Sequence, residues 1–227
     1  MKINKLISAS ILTVLLTSCL GDNTDTISSI THYPNLKLID NPILYVEKGT
    51  TYNEPGIRAT LDGLTVPYEI SGHVDTRVAA VYDLTYTAEN SDGSTTSISR
   101  KVFVYENNET LAGIWQGTRV QKSGGPVLIA TTDTPNIYYT SGFLGGYYEY
   151  GSDLGSLYRC HAFLEVNGNE ISSDGGENTQ GFWSMSNGIV MDHLQGLKWT
   201  VSFESSKLDL GFDVELTKIK FDENESR

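Results

Sequence analysis

Glu149, Asp153, Glu165 and Asp192 are four carboxylates set among tyrosines and glycines in the second half of the chain. Two such groups brought together in space are what glycoside hydrolysis requires, one as acid and the other as base or nucleophile. Spacing along the chain sets no spacing between them, and no other catalytic signature accompanies them. His32, His73, His161 and His193 are scattered, none at i, i+4 on a helix or beside a cysteine pair. Cys160 falls in an alternating row with Tyr158, Ala162, Leu164 and Val166 and reads as a buried, inert thiol. Asp174-Gly175-Gly176-Glu177-Asn178 offers oxygen ligands, but not at the alternate positions a Ca²⁺ loop uses, so it reads as a solvated turn. The chain is expected to be no enzyme and to hold no metal and no cofactor.

The densest chemistry is aromatic. Tyr138, Tyr139, Phe143, Tyr147, Tyr148, Tyr150 and Tyr158 are interleaved with Gly142, Gly145, Gly146 and Gly151. Read as a strand, Tyr148 and Tyr150 face one way and Tyr147 and Glu149 the other, so one set is expected to meet solvent. An exposed ring stacks on the C–H face of a sugar, while Glu149 and Asp153 accept hydrogen bonds from its hydroxyls. The candidate glycan-binding residues are therefore Tyr147, Tyr148, Glu149, Tyr150 and Asp153. The competing reading is that tyrosine is simply a good strand former with a wet end.

Residues 1–18 set Lys2 and Lys5 before an apolar stretch, Leu6 to Leu16, that leads to Cys19. This is the pattern of a signal peptide. The stretch is shorter than the roughly 20 residues needed to cross about 30 Å of hydrocarbon. Leu16-Thr17-Ser18-Cys19 resembles the bacterial lipobox, which implies lipidation of Cys19, cleavage before it and acylation of the new terminus. Each buried acyl CH₂ contributes about 0.8 kcal/mol and one chain holds only marginally, so several on one residue make a durable anchor. Cys19→Ser is accordingly expected to move the protein from the membrane fraction to the soluble one. Labelling of the Cys19→Ser protein by a fatty-acid analogue would overturn this.

Residues 19–35 have no period and read as a flexible tether. Asp22 and Asp25 behind the cysteine resemble the acidic residues associated with surface transport in Bacteroidetes-type lipoproteins, and Asp25-Thr26-Ile27 resembles their O-glycosylation motif. The formal charge of −12, with no basic stripe to offset it, argues against nucleic acid. With Cys19 lipidated, Cys160 is the remaining thiol, so no intramolecular disulfide is expected.

The elements that must position these residues read as strands throughout. Between Leu36 and Glu106, short runs rich in Val, Ile, Thr and Tyr are separated by turns at Lys48-Gly49, Pro55-Gly56, Asp62-Gly63 and Asp92-Gly93. Tyr82, Leu84, Tyr86 and Ala88 share one face of a half-buried strand. Val46-Glu47-Lys48-Gly49-Thr50, Tyr52, Glu54-Pro55-Gly56, Val74-Asp75-Thr76, Leu84-Thr85-Tyr86-Thr87-Ala88 and Asp92-Gly93 resemble the bacterial Ig-like module of surface lipoproteins and crystal toxins. Ala79-Ala80 departs from that family, which often has Pro-Gly there. The resemblance implies a spacer without catalytic residues.

Further on, Leu197, Trp199, Val201 and Phe203 alternate with polar residues, as do Phe212, Val214 and Leu216, while Asn167-Gly168 and Asn187-Gly188 suit tight hairpins. Gly113-Ile114-Trp115 resembles the opening of lipocalin-like barrels, where the ring plugs the closed end. Ser141-Gly142-Phe143-Leu144-Gly145-Gly146-Tyr147-Tyr148, Gly151, Gly155, Tyr158 and Leu197-Lys198-Trp199-Thr200-Val201 resemble the C-terminal domain of small Bacteroidetes lipoproteins linked to glycan-uptake systems. Leu154 stands where that family is expected to have an aromatic residue.

The expected architecture is all-β: an Ig-like β-sandwich over 36–106, then over 110–221 an antiparallel barrel or sandwich, with a lipocalin-like barrel as one form. The expected protein is a non-catalytic lipoprotein of the outer membrane, facing the cell surface and assisting capture of a poly- or oligosaccharide. The alternatives are a lipocalin-like carrier of a small apolar ligand and a scaffold of an outer-membrane uptake complex.

Overall fold

Every second residue from Tyr82 to Ala88 is apolar, and there the chain is a strand with Leu84, Tyr86 and Ala88 buried. The computed structural model describes residues 31–203 and 210–221; the stretch read as a signal peptide, Cys19 and most of the stretch read as a tether lie outside the described residues. Seven strands come first: β1 (Asn35–Leu38), β2 (Ile43–Glu47), β3 (Ile57–Leu61), β4 (Leu64–Thr65), β5 (Glu69–Ser71), β6 (Ala80–Glu89) and β7 (Thr95–Tyr105). They form two sheets, β1-β3-β4 and β2-β7-β6-β5, in which only the β2–β7 pair is parallel. Ile57, Ala59, Leu84, Tyr86, Ala88 and Val102 form their shared core. Asp62 and Gly63, at φ of 52° and 83°, turn β3 directly into β4. Positive φ at both positions is the twist a two-residue hairpin needs.

One charge is buried with this core. Arg100 is fully covered, and its guanidinium pairs with Glu54 and donates to the carbonyls of Ile39 and Asn41. Glu54 also accepts from the Tyr52 and Tyr86 hydroxyls and, at 2.8 Å, from the Gly56 amide. A buried ion is tolerated when its partners are this complete.

Nine strands follow: β8 (Gly113–Arg119), β9 (Lys122–Thr131), β10 (Ile137–Thr140), β11 (His161–Asn167), β12 (Glu170–Ser172), β13 (Gly176–Asn178), β14 (Gly181–Met191), β15 (Gly196–Phe203) and β16 (Leu210–Lys218). Their order is β10-β9-β8-β16-β15-β14-β12-β11, and β10 pairs back onto β11 through Tyr139 and Phe163. Short β13 bridges β11 and β14 beside β12. The ring is closed and antiparallel, so the choice between barrel and sandwich falls to a barrel. Trp115, Trp183, Trp199, Phe143, Leu164 and Leu197 are among the side chains that fill it. Trp115 donates to the Leu111 carbonyl at 2.9 Å, and the Lys218 ammonium lies 5.8 Å from its ring.

Asn187-Gly188 departs from the expected hairpin. Both residues lie inside β14, at a bulge between Ser186 and Ile189. Gly188 pairs with Ile171 of β12, whose carbonyl passes too close for any side chain at that position. The glycine permits a close approach rather than a turn.

The sandwich and the barrel share a third core. Phe103 and Tyr105 of β7 are buried with Ile114, Leu128 and Ala130, and Val81, Tyr139, Tyr150 and Phe221 pack against them. Between the two, Glu106 accepts from the Thr131 amide at 2.9 Å and pairs with Lys48 at 3.0 Å.

Candidate functional site

The aromatic segment read as a strand is a turn. Gly145 and Gly146 take φ of 65° and 67°, which ends the extended chain, and Tyr147–Gly151 coil into one π-helical turn. Tyr150 N–H donates to the Gly146 carbonyl at 2.9 Å and Ser152 N–H to the Tyr147 carbonyl at 2.8 Å. The two-faced alternation therefore does not apply. Tyr147 stands half-exposed, with the Arg119 guanidinium 4.8 Å from its ring and 4.3 Å from that of Phe212. A hydrogen bond from Ser152 holds its hydroxyl below the ordinary tyrosine value. Tyr148 is half-buried against the barrel core, 5.8 Å from Trp183, and burial raises its hydroxyl. Asp153 is exposed.

Glu149 and Tyr150 have turned inward. The Glu149 carboxylate is buried and pairs with Arg159 at 2.8 Å and Lys101 at 3.0 Å. The same two cations reach Asp83, Lys101 at 2.7 Å and Arg159 at 3.2 Å. Four charges of alternating sign thus link β6 and β7 of the sandwich to the barrel. Burial works against charge on Arg159, but its bonds to Glu149 and its attraction to Glu149 and Asp83 dominate and raise its pKa. Tyr150 packs into the shared third core with a buried hydroxyl that has no hydrogen-bond partner among the described residues. Both polar ends are turned into the protein rather than toward solvent.

Rings do meet solvent on the outer wall of the barrel. In β11 the parity that turns Ala162 and Leu164 inward turns His161, Phe163 and Glu165 outward, and Phe163 is 57% exposed. Tyr139 of β10 lies opposite it with ring centroids 6.0 Å apart, and stacks on His161 at 6.1 Å with an interplanar angle of 30°. On the far side Gly175 has φ of 98°, and a Cβ there would lie 2.5 Å from Cζ of Phe182, so the missing side chain leaves the space that this exposed ring occupies. Phe163 and Phe182 are thus the exposed rings of this wall, with Tyr139, half-buried at the junction with the sandwich, beside Phe163 and Glu177 between His161 and Phe182. Sequence reading missed Phe163 and Phe182, although the alternation that put Leu164 inside already implied an exposed ring at Phe163.

Burial pushes the Cys160 thiol up to about 12, as an inert thiol requires. Among the described residues no group of three or more histidine, cysteine or acidic side chains is placed to hold a metal ion. Of the four carboxylates first considered, Glu149 is held in ion pairs, while Asp153, Glu165 and Asp192 are exposed. A crevice of about 630 Å³ opens beside the linker, lined in part by Tyr105, Asn107, His193, Gln195, Lys218 and Phe221. Its lining carries Glu106 and Glu109 as well as Lys218 and Lys220, and shares no residue with the ring-bearing wall.

The fold defines an all-β class in which an Ig-like sandwich leads into a filled, closed barrel. The family of Ig-like domains of bacterial surface proteins matches residues 36–104. A family of C-terminal domains matches residues 71–218, more than half of the chain, and the chain belongs to that family. This second match begins at the end of β5 and so takes in β6 and β7, the strands that carry Asp83, Lys101 and Phe103 to the junction. Among solved structures the chain is similar to the lipoprotein BT2262 from Bacteroides thetaiotaomicron. The two are 27% identical with a TM-score of 0.66, over 82% of this chain and 100% of that one. No curated protein matches the chain.

Proposed function

We propose that the protein is a non-catalytic lipoprotein, held in the outer membrane through Cys19 and facing the cell surface, that assists glycan capture with its barrel. The Ig-like module over 36–106 holds the barrel, over 110–221, away from the membrane. The exposed rings of Phe163 and Phe182, with half-buried Tyr139 beside Phe163, carry this reading, because exposed rings with polar neighbours suit the C–H faces of pyranoses. Support comes also from the barrel interior, where three tryptophans and Phe143 occupy the space an enclosed apolar ligand would need. Likeness to a lipoprotein and to surface Ig-like domains supports the location. Tyr147, half-exposed in the turn, and Asp153, exposed just beyond it, add peripheral contacts, while Tyr148, Glu149 and Tyr150 act through packing.

Phe163→Ala is expected to weaken binding of a cognate glycan by about 1 kcal/mol, from the loss of one ring contact. Its melting temperature should stay near that of the parent, since an exposed side chain away from special features contributes within about 0.5 kcal/mol. Isothermal titration beside a thermal melt checks both. A variant that binds as tightly as the parent would remove the wall from the mechanism.

A further inference from the structure

We infer that the ring-bearing wall takes uncharged polysaccharide chains and rejects uronate-bearing or sulfated ones, a narrowing that rests on the glycan reading above. From Tyr138 to Met191 the sole lysine or arginine in the sequence is Arg159. Its guanidinium is committed to Glu149 and Asp83, so it has no strong claim on a ligand at the wall. Lys198 of neighbouring β15 is likewise held, 3.1 Å from Glu215 and 3.4 Å from Asp213.

The rings are bordered by carboxylates. Glu165 lies two residues from Phe163 on the same outward face of β11, Glu177 stands in register between His161 and Phe182, and Asp174 adjoins Gly175. All three are exposed. A carboxylate only accepts hydrogen bonds, whereas a sugar hydroxyl can donate them. The same group meets a uronate or a sulfate with like charge and no proton to share. The overall charge of −12 adds repulsion of the same sign at longer range. Flat rings for C–H faces, ringed by acceptors for hydroxyls and lacking an available lysine or arginine, define a site for neutral chains lying across the strands.

Affinity electrophoresis of the full chain tests this, in gels holding a neutral polymer (xyloglucan, galactomannan or amylopectin) or an anionic one (polygalacturonate or chondroitin sulfate). The parent should be retarded by at least one neutral polymer and by neither anionic one. Phe163→Ala and Phe182→Ala, with unchanged melting, should each weaken that retardation about fivefold. Glu165→Gln with Glu177→Gln should admit the anionic polymers while keeping the neutral one. Retardation of the parent by an anionic polymer as strong as by any neutral one, lost in Phe163→Ala, would overturn the neutral class and leave the glycan reading standing. No retardation by any polymer, or retardation indifferent to both rings, would overturn the glycan reading and this inference with it.

Discussion

Glu54→Ala is expected to lower the free energy of unfolding by about 3 to 5 kcal/mol, because it leaves the Arg100 guanidinium buried without its counter-ion. The loss spreads beyond the pair, since the Tyr52 and Tyr86 hydroxyls and the Gly56 amide all donate to the same carboxylate. Domains of this size are stable by about 5 to 15 kcal/mol, so the variant should be marginal. Ala in place of the exposed Arg58 should stay within about 0.5 kcal/mol. Urea titration of both variants decides the matter, and a Glu54→Ala loss below about 1 kcal/mol would show that the pair contributes little.

The same carboxylate sets a pH dependence. Burial raises the pKa of Glu54, but the bonds from Tyr52, Tyr86 and Gly56 and the charge of Arg100 outweigh it and hold the group below its ordinary value. As pH falls, the unfolded chain therefore takes up this proton first. The stabilisation is complete above the unfolded pKa, about 4.3, and disappears on descent through the lower folded value. Acid unfolding of the parent should be steeper below about pH 4 than that of Glu54→Ala.

Glu149→Ala is expected to cost about 3 kcal/mol, toward the lower end of the range for a broken buried pair, because Asp83 still faces both Lys101 and Arg159. Asp153→Ala, four residues on and exposed, should change stability by less than about 0.5 kcal/mol. Thermal melts separate the two. If Glu149→Ala melts like the parent but loses its glycan, the residue contacts sugar and its ion pairs are incidental.

Much of the architecture was legible along the chain. The parity of Leu197, Trp199 and Val201, and of Cys160, Ala162 and Leu164, put all six side chains in the core, as alternation required. The turns at Gly49, Gly56, Asp62-Gly63 and Gly93 all carry positive φ, which small and polar residues tolerate. Strand alternation and turn preference are local, so a single sequence states them.

What only tertiary structure decided is non-local. Tyr139 finds Phe163, and β16 finds β8, through pairing that no local pattern records, and those two pairings close the barrel. Gly145-Gly146 could serve a flexible loop or a tight turn, and packing against the β8–β9 hairpin selects the turn, which carries Glu149 to Lys101 and Arg159. A carboxylate among tyrosines has the same local sequence whether it greets a sugar or neutralises two half-buried cations. By itself the sequence determined which residues alternate, where the chain turns and how acidic the surface is. The partners of Glu149 and the neighbours of Phe163 depended on which distant strands came together, because burial and charge pairing are properties of the assembled fold.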